Sequence, residues 1–217
     1  IPEFLLQYEE SDWVFLRRLA SHFGTYLLAD ATDACGKVYF GIPEISYGTV
    51  LDRQDYTMEK DMLHYARVLE KEGVLSQEAS CWNVMVRFFL RMGETLTFNG
   101  IEAVVTAMRL HTEKGELVYS YVLARRAGIR REKEKNPGIF GMSIPATVME
   151  RSGNRIRVHF EIDPEYEASE KTKYFTYAIE SSSFYCMPEE GSQVHIYFPD
   201  HDEQGAVAVH AIRSGEG

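Results

Sequence analysis

Between Arg155 and Ile162 the apolar residues fall on every second position, with Ile156, Val158, Phe160 and Ile162 alternating with Arg155, Arg157, His159 and Glu161. Strict alternation places one face of a strand in a core and the other in water. The Ser152-Gly153-Asn154 turn joins this run to Ala146-Thr147-Val148-Met149, a second β-type run, so a hairpin is predicted. Further short runs and turns follow, and Ser143 to Arg213 reads as five short strands of a small closed β-barrel. Barrels of this size host many functions, so the fold alone names none.

The rest of the chain is more mixed. With 217 residues, 45% of them hydrophobic, it can build one large domain or about two to three small ones. Its 13 Tyr and 12 Phe, alongside β-branched runs, favour strands. Ser11 is placed to cap a helix with Asp12 in its first turn and Gly24 as its stop. The stripe Trp13, Leu16, Ala20 and Phe23 is expected to pack on a core, with Arg17 and Arg18 turned away. Tyr26–Ala29 and Lys37–Phe40 read as short strands around the turn residues Asp30–Gly36, and Gly41–Tyr56 reads as irregular. A second helix is expected from about Thr57 to Lys71, with Met58, Met62, Tyr65 and Leu69 on one face and Gly73 as its stop.

From Cys81 the pattern turns to strands: Trp82–Leu90, Thr95–Phe98, Ile101–Arg109 and Leu117–Arg125. Asn99-Gly100, between two β-type runs, is a strong hairpin signal because both residues tolerate positive φ. Glu113-Lys114-Gly115 marks a second turn, and a small antiparallel barrel or sheet is expected in this region. Arg125 to Lys135 then carries six basic residues and two Glu. It reads as an exposed connector, closed off by Asn136-Pro137-Gly138.

A formal net charge of −10 argues against nucleic acid as the main partner, since phosphate neutralisation by Lys and Arg supplies most of such binding. Cys35, Cys81 and Cys186 are far apart, odd in number and never arranged as Cys-x-x-Cys. Neither a disulfide framework nor a zinc site is indicated, and a reducing compartment of synthesis is expected. No apolar run approaches the roughly 20 residues that span a bilayer, and no signal peptide opens the chain; a soluble protein is expected. The start at Ile1, inside a strand-like run, reads as a piece of a longer polypeptide.

Local signatures of catalysis are missing: there is no G-x-S-x-G, no H-E-x-x-H and no P-loop. Strand register puts His159 and His195 on outward faces, where solvation explains them. Asp163, Glu165, Glu167 and Glu170 offer paired carboxylates, but a loop of alternating acids is the usual solvated surface. Asp200-His201-Asp202-Glu203-Gln204-Gly205 begins like a calcium loop and then fails, with Gln204 at position five and Ala211 at position twelve. A turn between Val194–Phe198 and Ala206–Ile212 accounts for it better. Cys186, between Tyr185 and Met187, reads as a core thiol. Phe175, Tyr177, Phe184 and Tyr185 could stack bases while Arg125–Lys135 supplies charge, but the acids ringing the barrel repel phosphate. No catalytic, cofactor or metal site is expected.

Several separated segments share one resemblance. Gln7-Tyr8-Glu9-Glu10-Ser11-Asp12-Trp13-Val14-Phe15-Leu16-Arg17-Arg18-Leu19-Ala20 resembles the Q-Y-x-E-S-D-x-x-F-L-x-R-L segment of the VgrG and phage late control D family. These are hub and spike proteins of contractile phage tails, tailocins and type VI secretion systems. Gly93-Glu94-Thr95-Leu96 with Asn99-Gly100 resembles the G-x-x-L-x-x-N-G hairpin of that family's tube-like domain. Arg155–Phe160 is similar to its G-R-V-R-V-x-F strand, and Pro188–Val194 to its P-x-x-G-x-x-V turn and strand. The order along the chain is the family's own. Asp200–Gly205 stands in place of a G-D-P-x-x-P turn, and Tyr174–Tyr177 lacks a preceding Trp, which favours a phage-tail or tailocin-like branch.

The resemblance implies an α+β, mostly β chain: an antiparallel tube-type barrel region with two packed helices, followed by a C-terminal five-stranded OB-fold barrel. The expected domains are a helix-containing segment over 1–78, a tube-like β domain over 79–131, a linker over 132–138 and an OB-fold spike base over 139–217. It implies a non-enzymatic baseplate hub or spike-base component that joins tail tube to spike. It would be made in the bacterial cytoplasm, assembled into a tail or tail-like particle and free of any membrane anchor. Three full-length copies would form a ring with pseudo-sixfold symmetry, with tube, baseplate and spike proteins as partners. For residues 1–217 by themselves trimerisation is expected to be weak or absent, and edge strands around Trp82–Leu90 and Leu117–Arg125 are expected to be bare. The alternative is an OB-fold binding module for single-stranded nucleic acid or glycan.

Overall fold

A computed structural model describes residues 4–30, 32, 36–165, 172–178 and 187–210. The chain divides into two units, Trp13–Glu134 and a second that combines Ile1–Asp12 with Lys135–Gly217.

The first unit opens on helix α1 (Asp12–His22) and a two-stranded ladder of β1 (Leu27–Ala29) with β2 (Val38–Phe40). Its main body is a six-stranded sheet of β3 (Ile45–Leu51), β4 (Tyr56–Lys60), β5 (Ser80–Val86), β6 (Glu94–Phe98), β7 (Ile101–Glu113) and β8 (Glu116–Ala124). The order across the sheet is β3-β6-β7-β8-β5-β4, antiparallel except where β3 lies parallel to β6. Asn99-Gly100 makes the β6–β7 turn with positive φ at both residues, as the residue types demand. Trp82, Val84 and Val86 of β5 alternate inward with Leu96, Phe98, Tyr121 and Leu123 to form this unit's core.

Several expectations change in this unit. The region expected to be an antiparallel tube-type barrel is a mixed sheet that ends at β3 and β4 among the described residues. Trp82–Leu90 and Leu117–Arg125 are therefore not its edges: β5 is flanked by β4 and β8, and β8 by β5 and β7. Gly41–Tyr56 contains a strand, β3. Its pairing begins at Ile45–Glu94 and shifts register between Ser46 and Val50, so its sequence lacks clean alternation. The helix expected from Thr57 begins as strand β4 and turns helical only at Met62, passing through an α-helical turn (Met62–His64), a π turn (Tyr65–Leu69) and a 3-10 turn (Glu70–Glu72). Every side chain of β4 is exposed, so the three-to-four spacing of Met58, Met62 and Leu69 mimicked a helix face that only Leu69 completes.

Helix α1 starts where its cap and first-turn acid place it and buries Ala20 of the expected stripe, but Arg18 turns inward while the rest of the stripe does not. Arg18, Ala20 and Ser21 are buried, while Trp13, Leu16 and Phe23 are 43%, 40% and 48% exposed. The buried side is held by hydrogen bonding: the Glu134 amide donates to Ser21 Oγ at 2.9 Å. Phe23 meets Phe40 edge-on at 5.7 Å, extending an exposed apolar patch.

The second unit is a closed five-stranded barrel of β9 (Ser143–Ser152), β10 (Arg155–Phe160), β11 (Tyr174–Tyr177), β12 (Gln193–Tyr197) and β13 (Val207–His210). Its order is β10-β11-β13-β12-β9, closed by a parallel β11–β13 pair. Ile156, Val158 and Phe160 point inward as their alternation predicts, and meet Ile144, Ala146, Val148, Phe175, Val194 and Ile196. The N-terminal segment adds to this core: Leu6 is buried in it, and Phe4 stacks on Phe160 at 5.5 Å. Asn136 anchors the segment by donating from Nδ2 to the Tyr8 carbonyl at 3.0 Å.

Candidate functional site

The aromatics proposed to stack bases face inward. Phe175 is 2% and Tyr177 8% exposed. Phe4 covers Phe175 edge-on at 5.3 Å, so the ring face is already occupied by protein. Phe184 and Tyr185 lie outside the described residues, as do Cys35 and Cys186.

Arg125–Lys135, expected to be an exposed connector, is a strap of paired cations. Arg125 Nη1 lies 3.5 Å from Glu78, and Arg130 Nε lies 3.0 Å from Glu72. Arg126 donates to the Ile42 and Pro43 carbonyls and to Thr95 Oγ1. Arg131 pairs with Glu134 and stacks over the Tyr26 ring at 5.1 Å. Burial pushes the Tyr26 hydroxyl above its ordinary range, partly offset by the Arg131 charge. Guanidinium groups bound this way are poor phosphate ligands, because each contact to a nucleic acid would first break an internal one.

The outward barrel face holds a compact polar cluster. Glu150 accepts from Arg157 at 2.9 Å and from the Tyr174 hydroxyl at 2.8 Å, while Arg157 lies 4.1 Å over the Tyr174 ring. The bond to Glu150 raises the Tyr174 pKa. Glu150 thus links Arg157 and Tyr174 in a small ion-pair lattice, while Arg157 Nε has no hydrogen-bond partner among the described residues. His195 is half-buried with Nδ1 3.2 Å from Ser143 Oγ, and His159 is half-buried on β10.

A cleft of about 400 Å³ beside the barrel is lined by His159, Asp163, Glu165 and Lys173 over Phe4 and Phe175. Glu167 and Glu170, the other acids of that loop, lie outside the described residues. Asp200–Gly205 is a connection between β12 and β13. The carboxylates of Asp200 and Asp202 are turned on its own backbone, Asp202 accepting from the Gln204 amide at 3.1 Å and Asp200 from the Asp202 amide. No group of three His, Cys, Asp or Glu among the described residues is arranged to hold a metal ion.

Cys81, on β5, lies in the first unit. Burial and then the neighbouring Glu59 hold its thiol above the ordinary range, the reverse of what an activated nucleophile needs. It borders a cavity of about 270 Å³ lined by residues of β1, β5, β7, β8 and the helical turn at Met62. Sequence reasoning could not find this cavity, because Asp61, Glu78 and Gly128 are brought to it from three distant segments. No helix among the described residues is long and apolar enough to cross a membrane.

No family model and no curated protein sequence matches this chain. A solved E. coli structure does: it is described as a component of the type VI secretion system with structural similarity to the T4 bacteriophage tail proteins gp27 and gp5. The two share a fold with a TM-score of 0.59 at 16% sequence identity, over 94% of this chain and 61% of that one. The chain thus spans less than two thirds of that neighbour's length.

Proposed function

We propose that this chain is a non-enzymatic structural component of a contractile phage tail or tail-like injection particle, belonging to the hub and spike-base proteins of the VgrG and late control D type. The observation that carries this reading is the shared fold along 94% of the chain with a secretion component described as resembling two tail proteins. The barrel order β10-β11-β13-β12-β9, with its parallel β11–β13 closure, supports an OB-type spike base.

The first unit supplies what a ring-forming part needs. Its sheet leaves β3 and β4 as edges, with Val50 64% and Met58 62% exposed, and α1 presents Trp13, Leu16 and Phe23. Open edges and apolar patches of this kind are covered in an assembly. Three copies of the full-length protein would close them, with tube, baseplate and spike proteins on either side.

Mass photometry of the intact gene product tests the reading: particles of three chains are expected, and a monomer at micromolar concentration would overturn it. Titration with a labelled single-stranded oligonucleotide at low salt tests the binding-module alternative. Tight binding that weakens steeply as salt rises would favour that alternative over the hub.

A further inference from the structure

The cavity in the first unit is lined by apolar and acidic side chains together. Its apolar lining includes Leu28, Ile42, Val122 and Ile129. One wall depends on a close approach at which only glycine fits, since a Cβ on Gly128 would run into the Glu78 carbonyl oxygen. Asp61 and Glu78 also line it, each with one carboxylate oxygen engaged. Asp61 Oδ1 accepts from the His64 amide at 2.8 Å, and Glu78 Oε1 lies 3.5 Å from Arg125 Nη1. Asp61 Oδ2 and Glu78 Oε2 carry no partner among the described residues. Burial raises the Cys81 pKa first, and Glu59 and Asp61 add to that shift.

Shape and charge select the occupant. A volume of about 270 Å³ falls below the roughly 300–1,000 Å³ of ordinary small-molecule sites and suits one side chain. A lining that combines apolar and acidic side chains fits a methylene stem ending in a cation. Two separate single acceptors suit the point charge of an ammonium better than the bidentate fork of a guanidinium. The cavity also adjoins an edge strand of the described sheet, since Asp61 in its lining directly follows β4. A polypeptide that adds a strand to that edge would run towards Asp61, the arrangement in which backbone pairing gives affinity and a pocket gives specificity.

We propose that this cavity is a socket for a lysine side chain presented by a partner polypeptide strand on the β4 edge. It lies wholly within one unit, so the isolated chain tests it whatever the outcome for the trimer.

The test is amide NMR of the labelled protein titrated with Nα-acetyl-lysine methylamide. Saturable shifts confined to Ser80, Ala124, Gly128 and their neighbours are expected. The uncharged norleucine counterpart should bind at least about tenfold more weakly, as should lysine amide to the Asp61→Asn, Glu78→Gln double variant. Both substitutions keep a hydrogen-bonding oxygen in place, so the variant should retain the parent's spectral dispersion. Absent shifts, equal binding of the norleucine amide, or undiminished binding to the folded double variant would overturn the socket. Far tighter binding of n-butylammonium than of lysine amide would overturn its assignment to a polypeptide partner.

Discussion

Tyr121 shows how one polar group is reconciled with burial. Its side chain is 1% exposed, and its hydroxyl accepts from the Leu90 amide at 2.7 Å, satisfying the backbone donor of a residue that is itself buried. Tyr121→Phe keeps the ring, stacked 5.9 Å from Tyr119, and orphans only that amide. An unsatisfied buried donor costs about 1–3 kcal/mol, so a loss of that size in urea denaturation is expected. A variant as stable as the parent would mean that water reaches Leu90. Glu94 is a second such residue. It is 3% exposed and takes the Thr49 hydroxyl at 2.7 Å and the Arg91 amide at 3.1 Å, tying β3 to the start of β6. Alternation alone gives no hint that a carboxylate belongs inside.

At the scale of elements, the N-terminal segment stands out because it completes a barrel that lies more than a hundred residues away in the chain. Gln7 Nε2 donates to Asp12 Oδ1 at 2.8 Å, and Glu9 adopts a positive φ of 48°, so the Gln-Tyr-x-Glu-Ser-Asp run is a structured turn ahead of α1. Leu6 is 7% exposed. Leu6→Ala should destabilise the barrel unit by about 2–5 kcal/mol, the usual range for deleting a buried leucine side chain. Thermal unfolding followed by near-UV circular dichroism would detect it. An unchanged midpoint would mean that the segment rests on the barrel without supporting it. The strap at Arg125–Lys135 teaches a related lesson: composition marks it as a solvated linker, whereas its cations are bound to Glu72, Glu78 and backbone carbonyls. Composition cannot reveal a partner some fifty residues upstream.

For the whole molecule, the exposed apolar residues concern assembly. In the proposed ring the β3 and β4 edges are covered by neighbours, and lysines are the residues that proteins use to keep such edges apart. Val50→Lys combined with Met58→Lys should therefore abolish self-association of the intact gene product while changing the stability of its subunit by no more than about 0.5 kcal/mol per site. Sedimentation velocity and urea denaturation separate the two effects. Undiminished association would place the interface elsewhere.

Local chemistry determined much of this architecture. The alternation over Arg155–Phe160, the Asn99-Gly100 turn and the Ser11-Asp12 start of α1 each depend on contacts within a few residues, and each is legible in the chain. Tertiary structure decided the rest. Which face of α1 is buried depends on Glu134, 113 residues beyond Ser21, and one clasp of the strap depends on Glu72, 58 residues before Arg130. The cavity above Cys81 exists only where Asp61, Glu78 and Gly128 converge. Backbone pairing and side-chain periodicity act between neighbours, whereas ion pairs, edge positions and enclosed space arise only when distant segments meet.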